Sequence, residues 1–425
     1  MGAEIDQSRP AAAGRAPRVR PVNGFRVFAL FGVVIIHLVG VSGFFAAHPG
    51  SNASVAIWSI FGNSLDIFFI ISGFVLFLPV IRRGGELGDK WAFWVGRGAR
   101  LLPAFWLVLA IMVLLVAIKP PGPDYRFPTV LELAAHVPVM QLPVQLLDSG
   151  FRIGFGINGP LWMLSIVVTF YALLPFIARA WYRHPLIGLA IAAAIEIAWK
   201  QAVVRIPGVF EAISNGTPAF VHDIAVDEFP GWAFTFAIGM TGAWAYTRAR
   251  ERFSPAELSR GALIAAPFVV VLYALVAWQY GRYALSDVGN IGPAARGETL
   301  QSIAHTTLRA AVMGVIILGP LWLQRPFANR FTDKLSDYSY GVYLIHMVIV
   351  TWAIAYSGLP RDGTVGAVAI WFAVIVPPSL LYAAITRRWF EIPARGWIEA
   401  RLLRPRAPAA PAVPAEATAE APARS

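Results

Sequence analysis

VFALFGVVIIHLVGVSGFFA, residues 27–46, is a run of apolar and small side chains carrying a single ionisable group, His37. As an α-helix rising 1.5 Å per residue, it spans ~30 Å, the thickness of a bilayer's hydrocarbon core. Comparable runs recur almost end to end, and the pattern predicts spans at 27–46, 58–80, 101–118, 161–178, 185–201, 230–247, 262–280, 307–324, 338–357 and 365–385. In hydrocarbon every backbone N–H and C=O must be satisfied within the chain, so runs of this length form helices. The expected fold is all-α: a polytopic transmembrane helix bundle of about ten spans.

Composition agrees. Of 425 residues, 57% are hydrophobic and only 14% charged, whereas soluble domains run near a quarter charged. An ordinary cytosolic enzyme is excluded. The net charge of +11 would suit nucleic acid, but Lys and Arg fall in short clusters between the apolar runs rather than along one basic face. No nucleic-acid partner is expected, and the clusters read as topology signals and contacts to anionic membrane lipids. Without cysteine, disulfides, thiolate nucleophiles and palmitoylation are excluded.

Arg9, Arg15, Arg18 and Arg20 precede the first run like a signal n-region, but no clear small-residue cleavage site follows it, so an uncleaved first helix is expected. Threading the spans with the N-terminus inside leaves nine of the 35 Lys and Arg residues outside (Lys119, Arg126, Arg152, Lys200, Arg205, Arg282, Arg296, Arg309 and Arg361) and 26 inside. The positive-inside rule therefore selects cytoplasmic N- and C-termini. Residues 1–22 are expected to be a disordered basic tail, 23–395 one membrane domain, and 396–425 a basic, then Ala/Pro-rich disordered tail. Loops 119–160, 202–229 and 281–306 face outward, where long segments usually serve function.

Ionisable groups inside spans are costly and by default mark function. His37 follows Arg26 by eleven residues, three helical turns, so both project from one face. A neutral imidazole there can accept a hydroxyl proton or simply hydrogen-bond a neighbouring helix. Arg97 and Arg100, three apart at the inner end of a span, share a face and suit either phosphate binding or headgroup anchoring. Asp66 falls on a stripe with Gly62, Phe69 and Gly73, where it can pair with Arg26, orient an imidazole, or complement a helix start. His346, Tyr343 and Ser339 form a polar stripe on the ninth span. Glu196 and Lys200 read as an i,i+4 pair, and Glu391 as a solvated partner of Arg387 and Arg388. The outer stretch His222, Asp223, Asp227 and Glu228 lacks a convincing metal-ligand spacing, and no metal is expected. Trp232, Tyr125 and Phe151 suit sugar stacking or an interfacial belt.

Six segments in order, GFRVFALFGVVIIHL (24–38), NSLDIFFIISGF (63–74), FWVGRGARLLPAFW (93–106), LWMLSIVVTFY (161–171), LSDYSYGVYLIH (335–346) and TRRWFEIPAR (386–395), together resemble the acyltransferase-3 family of bacterial integral membrane O-acyltransferases. The resemblance implies a multi-pass protein of the bacterial inner membrane that moves an acyl group, acetyl foremost, from acyl-CoA to a hydroxyl of a glycan, glycolipid or related acceptor. It implies His37 as general base with Asp66 in the catalytic site, and Arg26, Arg97, Arg100 and Ser72 on the donor side, with His346 and Tyr343 as further candidates. Where the family commonly has a Glu, this chain has Val167, and Thr169 replaces a neighbouring Gln. Two other readings stay open: a polytopic transporter, disfavoured by the lack of an internal repeat, and a catalytically altered member that handles glycan or lipid. Oligomeric state is not legible from these features.

Overall fold

In a computed structural model, residues 19–286 and 299–403 are described, and among them there is no strand. The long helices are α1 (Pro21–Val41), α2 (Ser64–Arg82), α3 (Lys90–Ile118), α4 (Trp162–Arg183), α5 (Pro185–Arg205), α6 (Ala233–Arg252), α7 (Pro255–Ser286), α8 (Thr299–Leu318), α9 (Arg330–Tyr356) and α10 (Val365–Thr386), followed by a shorter α11 (Ile392–Leu402). Nine stretches among the described residues are long and apolar enough to cross a membrane. The expected span at 230–247 corresponds to α6, which is not one of the nine. It carries Thr235, Thr241 and Thr247 and ends in Arg248, Arg250 and Arg252, so its buried face rather than overall apolarity holds it in place.

That face is against α2. A Cβ added at Gly73 would strike the Phe236 carbonyl, and one at Gly239 would strike the Ile70 carbonyl. Only glycine lets the two backbones approach this closely, the small-residue packing that membrane helices use in place of hydrophobic collapse. Around this crossing, Phe236 stacks on Phe69 at 4.8 Å and on Phe170 of α4 at 4.2 Å, joining three helices in one aromatic core.

Helix ends follow local chemistry. α1 begins with Pro21 and stops at Val41, because Gly43 then turns the chain with φ 82°. It thus lies earlier than the 27–46 apolar run. α3 starts at Lys90, well before the apolar stretch, because the Asp89 side chain accepts the Trp91 N–H as an N-cap. Of the tails expected at 1–22 and 396–425, the described residues depart from expectation: Pro21 and Val22 open α1, and α11, packed on α3, continues to Leu402, while residues 1–18 and 404–425 lie outside the described residues.

The connection from α3 to α4, expected on the outward face, is in large part buried. It opens with a capping box in which Thr129 and Glu132 exchange hydrogen bonds, and Arg126 grips both Glu132 oxygens at 2.8 and 3.0 Å. Burial opposes the Glu132 charge, but these donors outweigh it and hold the carboxyl below its ordinary range. The chain then folds back against the bundle. Buried His136 receives the Gly154 N–H at Nε2 (2.8 Å), while its Nδ1 faces the Glu132 carbonyl at 2.6 Å. Gly154 and Phe155 adopt left-handed backbone (φ 54° and 59°), a conformation costly at phenylalanine and sustained only by such surroundings. Asn158 donates to the Leu344 carbonyl at 2.7 Å, Thr351 donates to the Ile157 carbonyl at 2.8 Å, and the Tyr343 hydroxyl donates to Pro160. All three attach residues 157–160 to α9.

Candidate active site

Two helices far apart in sequence bring the principal histidines together. His37 of α1 is partly buried, and its Nδ1 lies 3.1 Å from Nε2 of fully buried His346 on α9, the rings stacked at 5.3 Å. His346 Nδ1 faces the carbonyls of Tyr343 (2.7 Å) and Val342 (3.2 Å). A carbonyl only accepts, so the His346 proton resides on Nδ1 and Nε2 presents a lone pair. That lone pair takes the His37 Nδ1–H. His37 Nε2 is then left as a free, unprotonated nitrogen, the arrangement a general base requires.

The register of this pair is fixed from both sides. Tyr340, two turns before His346, donates to the Leu101 carbonyl of α3 at 2.9 Å, next to Arg100. Toward the start of α9, Asn23 of α1 donates to Asp333 at 2.8 Å, and Arg26 donates to Asn23 at 3.2 Å. Arg26 therefore sits about 16 Å along α1 from His37, tied to the other end of α9. Arg97 is partly buried over the Phe93 ring, with its buried Nε lacking a hydrogen-bond partner among the described residues, while Arg100 is exposed. A guanidinium N–H without a protein partner, beside an exposed arginine, is donor chemistry suited to an anionic group.

Two expected members are engaged elsewhere. Ser72 donates to the Phe68 carbonyl of its own helix at 2.7 Å, so its hydroxyl proton is already used. Asp66 lies with neither Arg26 nor His37. It is buried against α8, 3.5 Å from His305 and 3.6 Å from Arg309, and accepts from Thr306 at 3.3 Å. Arg309 in turn reaches the Tyr273 hydroxyl and the Asn63 carbonyl. Glu196 and Lys200 pair at 2.7 Å as expected, but fully buried, with Glu196 also taking the Phe234 N–H at the start of α6. These two buried pairs link α2, α5, α6 and α8, and sequence reasoning missed His305. Its spacing of four from Arg309 in an otherwise weakly charged helix was the available signal. Glu391, read as the partner of Arg387, instead accepts from Thr386, and Arg387 pairs with Asp337 at 2.9 Å.

Val167 is buried in α4 and contributes no carboxylate. Among the described residues no group of three or more His, Asp or Glu side chains gathers as metal ligands.

The described residues form a many-helix membrane protein with an imidazole pair between α1 and α9 and an arginine pair on α3. The family model described as Acyltransferase domain matches residues 21–386, and the chain belongs to the acyltransferase-3 family. It is 25% identical over 342 residues to Nodulation protein 10 of Rhizobium leguminosarum bv. viciae, covering 77% of this chain and 80% of that protein. It is 24% identical over 435 residues to Acyltransferase MdmB of Streptomyces mycarofaciens, 96% of this chain and 98% of that one. Against Peptidoglycan O-acetyltransferase OatA of Listeria monocytogenes it is 23% identical over 408 residues, 89% of this chain but 56% of OatA. No solved structure matches the chain. It is an O-acetyltransferase-like enzyme and a multi-pass membrane protein.

Proposed function

We propose that this enzyme, in the bacterial inner membrane with both termini cytoplasmic, transfers an acyl group, acetyl foremost, from acyl-CoA to a hydroxyl of a glycan or glycolipid, with His37 as general base. The observation that carries this is the His346–His37 relay, because its hydrogen-bond polarity leaves His37 Nε2 unprotonated and open to accept. His37 Nε2 takes the proton of the acceptor hydroxyl, and the imidazolium is stabilised by His346 Nε2 behind it. The same nitrogen then returns the proton to the departing thiolate, so the cycle is proton-neutral. The donor supplies the activated thioester, and Arg97 and Arg100 hold its phosphates, with Arg26 on the same path. Tyr343 anchors the His346 turn through its bond to Pro160. Asp66, committed to His305 and Arg309, serves the fold around the site rather than the proton transfer, and Ser72 lines the helix beside it.

The test uses purified protein with acetyl-CoA and a soluble oligosaccharide, reading CoA release. His37→Gln should lower turnover by about 10²–10⁴-fold, the range for losing a general base, with donor binding retained. Arg97→Ala and Arg100→Ala should instead weaken donor binding by about 1.5–3 kcal/mol each, as for hydrogen bonds to charged groups. Near wild-type turnover in His37→Gln would remove the catalytic assignment, and unchanged donor affinity in both arginine variants would leave them as membrane anchors.

A further inference from the structure

We infer that the groove between the ends of α3 and α9 is a binding site for one anionic glycerophospholipid, its acyl chain in the groove and its phosphate at Lys119. The groove has a volume of about 490 Å³ and is lined by Leu115 of α3 and by Ile345, Val348, Ile349, Trp352 and Ala353 of α9, with Tyr356 at its mouth. From Ile345 to Tyr356 the helix rises about 16 Å, half of a ~30 Å hydrocarbon core. The cleft is therefore one leaflet deep, the length of a single lipid chain, and it stands on a membrane-spanning surface where lipid is the surrounding solvent.

The mouth is built rather than incidental. The Trp352 indole N–H donates to the Lys119 carbonyl at 3.1 Å, and the Tyr356 hydroxyl donates to the Pro120 carbonyl. These two aromatic residues, the types that anchor at membrane interfaces, fix the chain where α3 ends. They set the Lys119 ammonium 3.9 Å over the Tyr356 ring, and Lys119 bridges to no carboxylate among the described residues. An apolar slot one leaflet deep, capped by an exposed cation at headgroup level, is complementary to an anionic lipid and to nothing zwitterionic in particular. The floor of the slot is Ile345, the residue before His346, so a seated chain packs against the turn that holds the catalytic pair. The site is independent of which donor or acceptor the enzyme uses.

The test reconstitutes the full chain in vesicles of equimolar phosphatidylglycerol and phosphatidylcholine, extracts it in mild detergent, and counts retained lipids by native mass spectrometry. The wild type should retain phosphatidylglycerol in about fivefold excess, the factor equivalent to the ~1 kcal/mol that a Lys near an anionic surface is worth. Lys119→Gln should abolish the excess, Lys119→Arg should keep it, and Ala353→Trp, which fills the slot, should remove the retained lipid of either type. An undiminished excess in Lys119→Gln overturns the headgroup assignment. Equal lipid retention in folded Ala353→Trp overturns the groove. Should Ala353→Trp not fold, the Gln and Arg pair at Lys119 decides alone, because that side chain is exposed.

Discussion

His37 and His346 stand 309 residues apart, and both were legible as ionisable groups inside apolar runs, while Arg26, Arg97 and Arg100 were legible as basic groups at the inner ends of such runs. Their pairing was not, because it depends on how α1 packs against α9, and periodicity fixes only the face of one helix. Asp66 illustrates the same limit. Its place on a small-residue stripe was legible from the sequence, but its partners His305 and Arg309 lie 239 and 243 positions away, and Arg309 had been counted merely as a topology charge. The relay makes a sharp distinction between two substitutions at His346. Leucine removes the acceptor behind His37 Nδ1 and should lower turnover by about 10²-fold or more with donor binding intact. Glutamine can still donate to the Tyr343 carbonyl and accept from His37, so His346→Gln should recover a substantial part of that loss. Steady-state rates per folded molecule would check this, and equal rates in the two variants would mean that His346 acts by packing alone.

At the level of elements, apolar runs located the spans but not their ends, which caps and glycines decide: Asp89 extends α3 downward and Gly43 cuts α1 short. The largest departure is the α3–α4 connection. Its sequence indicated only that it faces outward, whereas Gly154 is bonded to His136 and the Ile157 and Pro160 carbonyls to α9, contacts no local pattern announces. The clasp at His136 makes it sensitive to acid. Burial holds this imidazole below its ordinary 6.5, and both of its nitrogens are used by the neutral form. The unfolded chain binds the proton first as pH falls, so the stability contributed by neutral His136 is complete above about 6.5 and lost below it, at up to about 1.4 kcal/mol per pH unit. Thermal melts in detergent of the wild type and of His136→Gln, which keeps one donor and one acceptor, should diverge by this decline as pH falls from 8 to 5, the other titrating groups being common to both; identical acid slopes would show that another group titrates. Asp227 and Glu228, both pushed up to about 7, burial being the main cause, act with the opposite sign, their contribution being lost as pH rises toward 7.

For the molecule as a whole, the all-helical bundle was legible because membrane insertion demands long apolar helices whatever their order. The role of α6 was less so, since a helix surrounded by other helices needs little apolarity of its own. Its crossing sets the parity of everything that follows. If α6 spans, fusions of a cytoplasmic reporter near Lys90, Arg250 and Arg330 should all be active, and fusions near Pro121 and Asn215 silent. An inactive Arg250 fusion with an active Lys90 fusion would mean that α6 does not cross. One further consequence concerns the order of synthesis. Residues 157–160 are seated on Leu344, Tyr343 and Thr351, which leave the ribosome roughly 190 residues later. At elongation rates of about 5–20 residues per second, the strained turn at Phe155 waits some ten seconds or more without its dock. The nascent chain thus passes through a stage in which most helices are inserted yet His37 has neither partner nor wall, and assembly of the candidate site is one of the last events in the protein's biogenesis.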